Sequence, residues 1–242
     1  MKCLNFLFSL VFSFYSFAQN EEVINKLPKK DSITYFKLKQ QFAKHINPNP
    51  DSALVYASKI KAFGLGKNYP IAIVEAPYFK AYYFRRMQKL DSAVFYFDAA
   101  SKLATKYNYL KGIALSQNGL CRIYYFLGQT ENAIKACSEC LDVATEMNDL
   151  PIITDTFTAF GNTYSRQNNM KMAIHYYLKA DSIHSETPQR PDIIAATYQS
   201  LGTIYEDLKD YDMSIKYFKK ANEEFKKIPA DVTFYLNTTN LH

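Results

Sequence analysis

Apolar and polar positions follow each other along this chain at the three-to-four-residue spacing of helices, and one set of positions returns at a much longer interval. An aromatic residue is followed nine residues on by Ala or Ser, then usually by a second aromatic, then by another small residue. The four instances are Phe84–Ala93–Phe97–Ala100, Tyr124–Ala133–Cys137–Cys140, Tyr164–Ala173–Tyr177–Ala180 and Tyr205–Ser214–Phe218–Ala221. Their leading residues lie 40, 40 and 41 positions apart. A fixed period of this size belongs to stacked helical hairpins. Small residues mark where two helices cross closely, and large rings fill the space beside them.

The pattern predicts five hairpins: residues 33–46 with 51–63, 71–87 with 91–105, 110–127 with 131–147, 151–168 with 170–184, and 192–208 with 211–226. The turns inside them are polar: Gln88-Lys89-Leu90, Gly128-Gln129-Thr130, Gln167-Asn168-Asn169 and Lys209-Asp210. Pro151 and Pro191 stand where first helices begin, which proline tolerates. Pro77 falls inside a predicted helix, which must either start late or kink there. Asp51, in an Asp-Ser-Ala run repeated at Asp91, is placed to cap a second helix. Ala81, Cys121, Gly161 and Gly202 are expected to face Ala93, Ala133, Ala173 and Ser214. The rings of Phe84, Tyr124, Tyr164 and Tyr205 are expected to fill the wedge between one hairpin and the next.

Composition agrees with a helical array. Only seven glycines and nine prolines in 242 residues argue against disorder or an all-β chain. Twenty Tyr with no Trp suit helices whose rings pack inside while their hydroxyls reach water. The formal charge is +6, but no run of five like charges occurs, and nucleic-acid binding needs basic residues gathered on one face.

Met1-Lys2 precedes an apolar stretch from Leu4 to Phe17 that ends Ser16-Phe17-Ala18-Gln19. One positive charge, a dozen apolar residues and small residues at −3 and −1 predict a signal peptide, residues 1–18, cleaved after Ala18. The run is shorter than the ~20 residues a spanning helix needs. The expected localisation is export to a bacterial periplasm or the extracellular space. Residues 19–30 would be a mature extension.

The repeat resembles the tetratricopeptide family, whose motif sets a large residue, Leu-Gly, Tyr, Ala, Phe and Ala at fixed steps. Phe160-Gly161 and Leu201-Gly202 reproduce the Leu-Gly step before Tyr164 and Tyr205, while Leu120-Cys121 and Lys80-Ala81 replace its glycine. The match is good over about 69–228 and weaker over 31–65, where Gln40, Gln41 and Lys44 depart from it. The period exceeds the family's ~34 residues. The resemblance implies an all-α, right-handed α-solenoid of about five helix-turn-helix repeats over residues 31–228. Residues 229–242 would start a further repeat helix, because Leu241 stands forty residues after Leu201. The chain would then be a fragment, or its last helix a lone cap. In resembling proteins such exported arrays precede a membrane helix and a histidine kinase or helix-turn-helix domain. The alternative reading is therefore the sensor portion of a truncated membrane signalling protein.

Candidate chemistry is sparse. Cys121, Cys137 and Cys140 occupy packing positions, where Cys serves as a compact hydrophobe. Export also allows a disulfide between Cys121 and either Cys137 or Cys140. His45, His175, His184 and His242 form no ligand-spaced pair, and no phosphate loop, nucleophile elbow or zincin helix occurs. No metal, cofactor or small-molecule substrate is expected, and the chain reads as a non-enzyme.

In the family, the first helix of each hairpin lines the concave face. Carried over by position, this implies a peptide-binding groove from Tyr82, Arg85, Arg86, Asn118, Arg122, Tyr125, Asn162, Arg166 and Gln199. Its arginines suit an extended protein or peptide partner with acidic groups, since guanidinium grips carboxylates with two parallel bonds. The lysine of the family's carboxylate clamp is missing.

Overall fold

Seven of the helices among the described residues stop by one device, six of them at twenty-residue steps from 68 to 168. Asn68, Gln88, Asn108, Gly128, Asn148, Asn168 and Lys209 all take the left-handed backbone conformation, with φ between 48° and 72°. The next amide then reaches back five residues: Lys89 N–H to Phe84 O at 2.9 Å, Tyr109 to Ala104 at 2.8 Å, Asp149 to Ala144 at 3.0 Å. This closes each helix by satisfying carbonyls that would otherwise lack partners. The turns between hairpins are built like those within them, so a hairpin takes forty residues.

The computed structural model describes residues 27–187 and 191–228. Residues 1–18, expected as a signal peptide, residues 19–26, and the segment 229–242 with Leu241 and His242 lie outside them. Among the described residues there are ten helices and no strand. They are α1 (Lys29–His45), α2 (Pro50–Lys67), α3 (Pro70–Arg86), α4 (Leu90–Lys106), α5 (Leu110–Phe126), α6 (Thr130–Glu146), α7 (Leu150–Arg166), α8 (Met170–Glu186), α9 (Pro191–Asp207) and α10 (Tyr211–Lys226). The five expected hairpins are present, in an all-α fold of the solenoid class. The first helix begins four residues earlier than its pattern indicated, and α2 ends four later. No helix among the described residues is long and apolar enough to cross a membrane.

The chain divides into two units, one through Ile113 and one from Ala114. In the first, α1 packs on α2, α2 on α3, and α3 on α4. Its core gathers Tyr35, Ile60, Ile71, Ala72 and Ala76, with Phe42, Ala53 and Ala57 beside α1. A buried carboxylate, Glu75, accepts hydrogen bonds from Tyr35 Oη (2.5 Å) and Tyr109 Oη (3.2 Å) and an ion pair from Lys39 (2.7 Å). These partners offset the cost of taking the charge out of water. In the second unit, α6 packs on α7, α7 on α8, α8 on α9, and α9 on α10. Its core runs from Ala114, Cys140, Ala144, Ile152 and Ile153 to Ile194, Tyr198, Leu201 and Tyr217.

Several local expectations are corrected. Helix α3 does not start late; it begins at Pro70 and runs through Pro77. Asp51 does not cap α2. The cap is Asn49, whose side chain accepts from Ser52 N–H at 3.2 Å, and Asp51 instead accepts the Tyr83 hydroxyl at 3.0 Å. Asp149, Asn169 and Asp210 cap α7, α8 and α10 in the same way as Asn49.

The crossings also differ in detail. A Cβ on Gly161 would lie 2.4 Å from the Tyr177 ring, and one on Gly202 2.7 Å from the Phe218 ring. Gly161 and Gly202 are thus sockets for the rings sixteen positions on. The leading rings stack inside their own hairpins: Phe84 on Tyr96, Tyr164 on Tyr176 and Tyr205 on Tyr217, with interplanar angles of 6°, 4° and 1°. Tyr164 and Tyr205 also pack against the core cluster that contains Tyr198.

Candidate functional site

Helical spacing places the expected side chains on first helices, and each unit holds its own set. On α3, Tyr82 is half-buried, with its ring edge-on to Tyr78 and Phe97 at 5.0 and 5.6 Å. The Arg85 guanidinium lies 4.8 Å from the centre of that ring, within the range of a cation–π contact. Arg86 is half-buried, and its Nε is covered without a hydrogen-bond partner.

In the second unit, Asn118, Arg122 and Tyr125 follow the i, i+4, i+7 line of α5, and Asp155, Ala159, Asn162 and Arg166 follow that of α7. Arg122 forms an ion pair with Asp155 and donates from Nε to Asn118 Oδ1 at 3.2 Å. Its charge is therefore engaged within the protein. The Arg166 guanidinium sits 5.4 Å from the Tyr125 ring centre. Asn162 accepts the Tyr177 hydroxyl at 2.6 Å. That contact exists because the Gly161 socket admits the Tyr177 ring from α8 beneath α7. Cys121, Arg122, Tyr125, Phe126, Ala159 and Asn162 line a cavity of about 40 Å³, room for a water-sized group. Phe126 is 52% exposed beside it.

Not all of the expected groove is surface. Asn118 is buried, and Thr158 is buried with its hydroxyl 2.8 Å from that of Thr197. Gln199 is exposed on α9. Of the predicted residues in this unit, the structure brings together Arg122, Tyr125, Asn162 and Arg166. Asp155 and Tyr177 were not expected. Asp155 was legible as the residue one turn before Ala159 on the Asn162 face, and Tyr177 as the ring sixteen residues after Gly161.

Cys121 and Cys137 form a disulfide with Cα atoms 5.2 Å apart, joining α5 to α6. The expectation that all three cysteines serve only as packing gives way to this bridge. Cys140 is free and buried, with its sulfur 3.1 Å from Thr156 Oγ1. Burial pushes its thiol up to about 12. Among the described residues, no group of three or more His, Cys, Asp or Glu side chains could hold a metal ion.

Pairs of equal helices, closed by equal turns and crossing at small residues, define a helical-hairpin repeat array. Residues 117–146, 154–186 and 195–225 match the model of the tetratricopeptide repeat, and the chain carries tetratricopeptide repeats over α5–α10. Heat shock protein STI1 of Saccharomyces cerevisiae is 26% identical over 102 residues, which are 42% of this chain and 16% of that protein. The chain thus spans about a sixth of that relative's length. Among solved structures, BtubC (BKLC) from P. vanneervenii superposes with a TM-score of 0.59 at 16% identity, over 87% of this chain and 88% of that one. The tetratricopeptide-like repeats of a putative kinesin light chain from Podosopora anserina give 0.57 at 12% identity, over 84% and 98%. These two likenesses are of fold alone. Tetratricopeptide repeats suggest a module for protein–protein interaction.

Proposed function

We propose that this is an exported tetratricopeptide module that binds a protein or peptide along the first-helix face of its hairpins, by shape and hydrogen bonding. The observation that carries the reading is the α5–α7 face. Exposed Phe126 and the Tyr125–Arg166 stack border a small cavity there, with the amide of Asn162 at its edge. Aromatic and arginine side chains of this kind anchor partners, the rings by large contact area at little cost in lost freedom and arginine by its planar set of donors. Arg166 is the cation on this face for an acidic group, since Arg122 is held by Asp155. The Cys121–Cys137 bridge supports export, because such bonds persist in oxidising compartments.

The test is a displayed peptide library panned on the purified protein. Peptides with acidic and aromatic residues should be enriched. Arg166→Glu should weaken the selected peptide at least tenfold by calorimetry, with helicity intact. Lys102→Glu, on the exposed side of α4, should leave the affinity unchanged. If Arg166→Glu binds as the parent does, the acidic-partner reading fails.

A further inference from the structure

We infer that the α5–α7 face is completed by oxidation: formation of the Cys121–Cys137 bond, rather than side-chain shape, sets how α5 lies on α6. The inference rests on the binding reading above and adds its regulation. Its first support is register. In the following hairpins the small residue of the first helix receives a ring sixteen positions on, Tyr177 at Gly161 and Phe218 at Gly202. In the α5–α6 hairpin the same two positions are Cys121 and Cys137, joined to each other. The covalent bond thus stands where a ring and its socket stand in the next two hairpins.

Sterics supply the second support. Bonded sulfurs lie about 2 Å apart, whereas unbonded heavy atoms need about 3.5–4 Å. Both cysteines are fully buried, and the free space beside Cys121 is the cavity of the proposed face, so a separating pair of thiols either moves the helices or enters that cavity. The helices must then shift, or a side chain must leave its rotamer. The third support is position. Cys121 lines the same cavity as Arg122, Tyr125, Phe126, Ala159 and Asn162, so a displaced α5 carries half of the proposed face with it.

The chemistry is thiol–disulfide exchange with a disulfide donor. The thiolate of one cysteine attacks the donor and releases one donor thiol. The other cysteine's sulfur then displaces the second, so two protons and two electrons leave the protein. Cys140, one turn further along α6, does not compete. Its buried thiol keeps its proton at neutral pH and is hydrogen-bonded to Thr156.

Protein folded in dithiothreitol is compared with the same protein after treatment with oxidised glutathione. Amide hydrogen exchange over 118–126 and 133–140 is one readout and needs no partner; affinity for the library-selected peptide is the other. Oxidation should slow exchange in both helices and tighten binding about tenfold or more, and Cys140→Ala should preserve this response. The double variant Cys121→Gly/Cys137→Tyr, which restores the socket and ring of the next hairpin, should bind in either condition. Cys121→Ser should stay in the fast-exchanging, weak-binding state throughout. Equal exchange in the two redox states overturns the inference, whatever the peptide does. Altered exchange with equal affinity overturns the regulation and leaves the binding reading standing. Altered exchange with no peptide bound in either state overturns the binding reading, and the regulation with it.

Discussion

Gly161 has no room for a single methyl group, because the Tyr177 ring lies 2.4 Å from where its Cβ would be, and Tyr177 is 1% exposed. Gly202 is nearly as crowded, yet the ring it meets, Phe218, is 37% exposed and free to give way. Gly66, near the end of α2, has nothing within 4 Å of its Cβ position. One substitution at three sites should therefore have three outcomes in urea denaturation. Gly161→Ala should cost about 1–3 kcal/mol, as overpacking does in a filled core. Gly202→Ala should cost less, and Gly66→Ala should stabilise by roughly 0.5–1 kcal/mol through helix propensity. Equal costs at Gly161 and Gly66 would remove the socket from the account of this fold.

The helix is the scale at which the sequence was most readable, and the reason lies in the crossings. Ala93, Ala133, Ala173 and Ser214 announce them because each is a small side chain at a buried position. The ends were readable wherever a polar turn stood between two patterned runs. Less was legible where two chemistries suit one position. Asp51 and Asn49 are both good caps, and only the approach of Tyr83 takes the aspartate away. Arg122 reads as a surface cation until Asp155, thirty-three residues on, is brought beside it. Cys137 and Cys140 share one helical face, and only the position opposite Cys121 decides between them. The recurrence of asparagine at 68, 108, 148 and 168, at steps of forty, forty and twenty, was present in the letters, and its cause is the left-handed end of the helices before them. Gln88 and Lys209 occupy such ends without being glycine or asparagine. Gln88→Gly should raise stability by about 0.5–1 kcal/mol, because the left-handed conformation burdens a side chain bearing Cβ. A lower melting temperature for that variant would contradict the turn's assigned role.

Each of the two units has a buried tyrosine bonded to a carboxylate: Tyr35 to Glu75 in the first, and Tyr198 to Asp181 in the second, both at 2.5 Å. Burial first, and then the charge of the neighbouring carboxylate and the hydrogen bond to it, raise both hydroxyls above the ordinary tyrosine value; at Tyr198 the hydrogen bond outweighs the charge. The folded chain therefore holds these protons more tightly than the unfolded chain does. Stability from this source is intact below about pH 10 and is lost as pH rises beyond it, because the unfolded tyrosines ionise first. Unfolding by urea should thus become easier above about pH 10. Tyr35→Phe should cost about 1–3 kcal/mol at pH 7, by leaving Glu75 short of a donor. It should also flatten the alkaline decline, with the exchange of amides in residues 27–113 reporting the change. A variant that declines as steeply as its parent would contradict this. The regular cadence of the helix ends carries a further consequence. Removing residues 109–148 would join Asn108 directly to Asp149, a bend to the cap that already follows one. Such a chain can be shortened or extended by forty codons as a difference of degree, in the way a ladder loses or gains a rung.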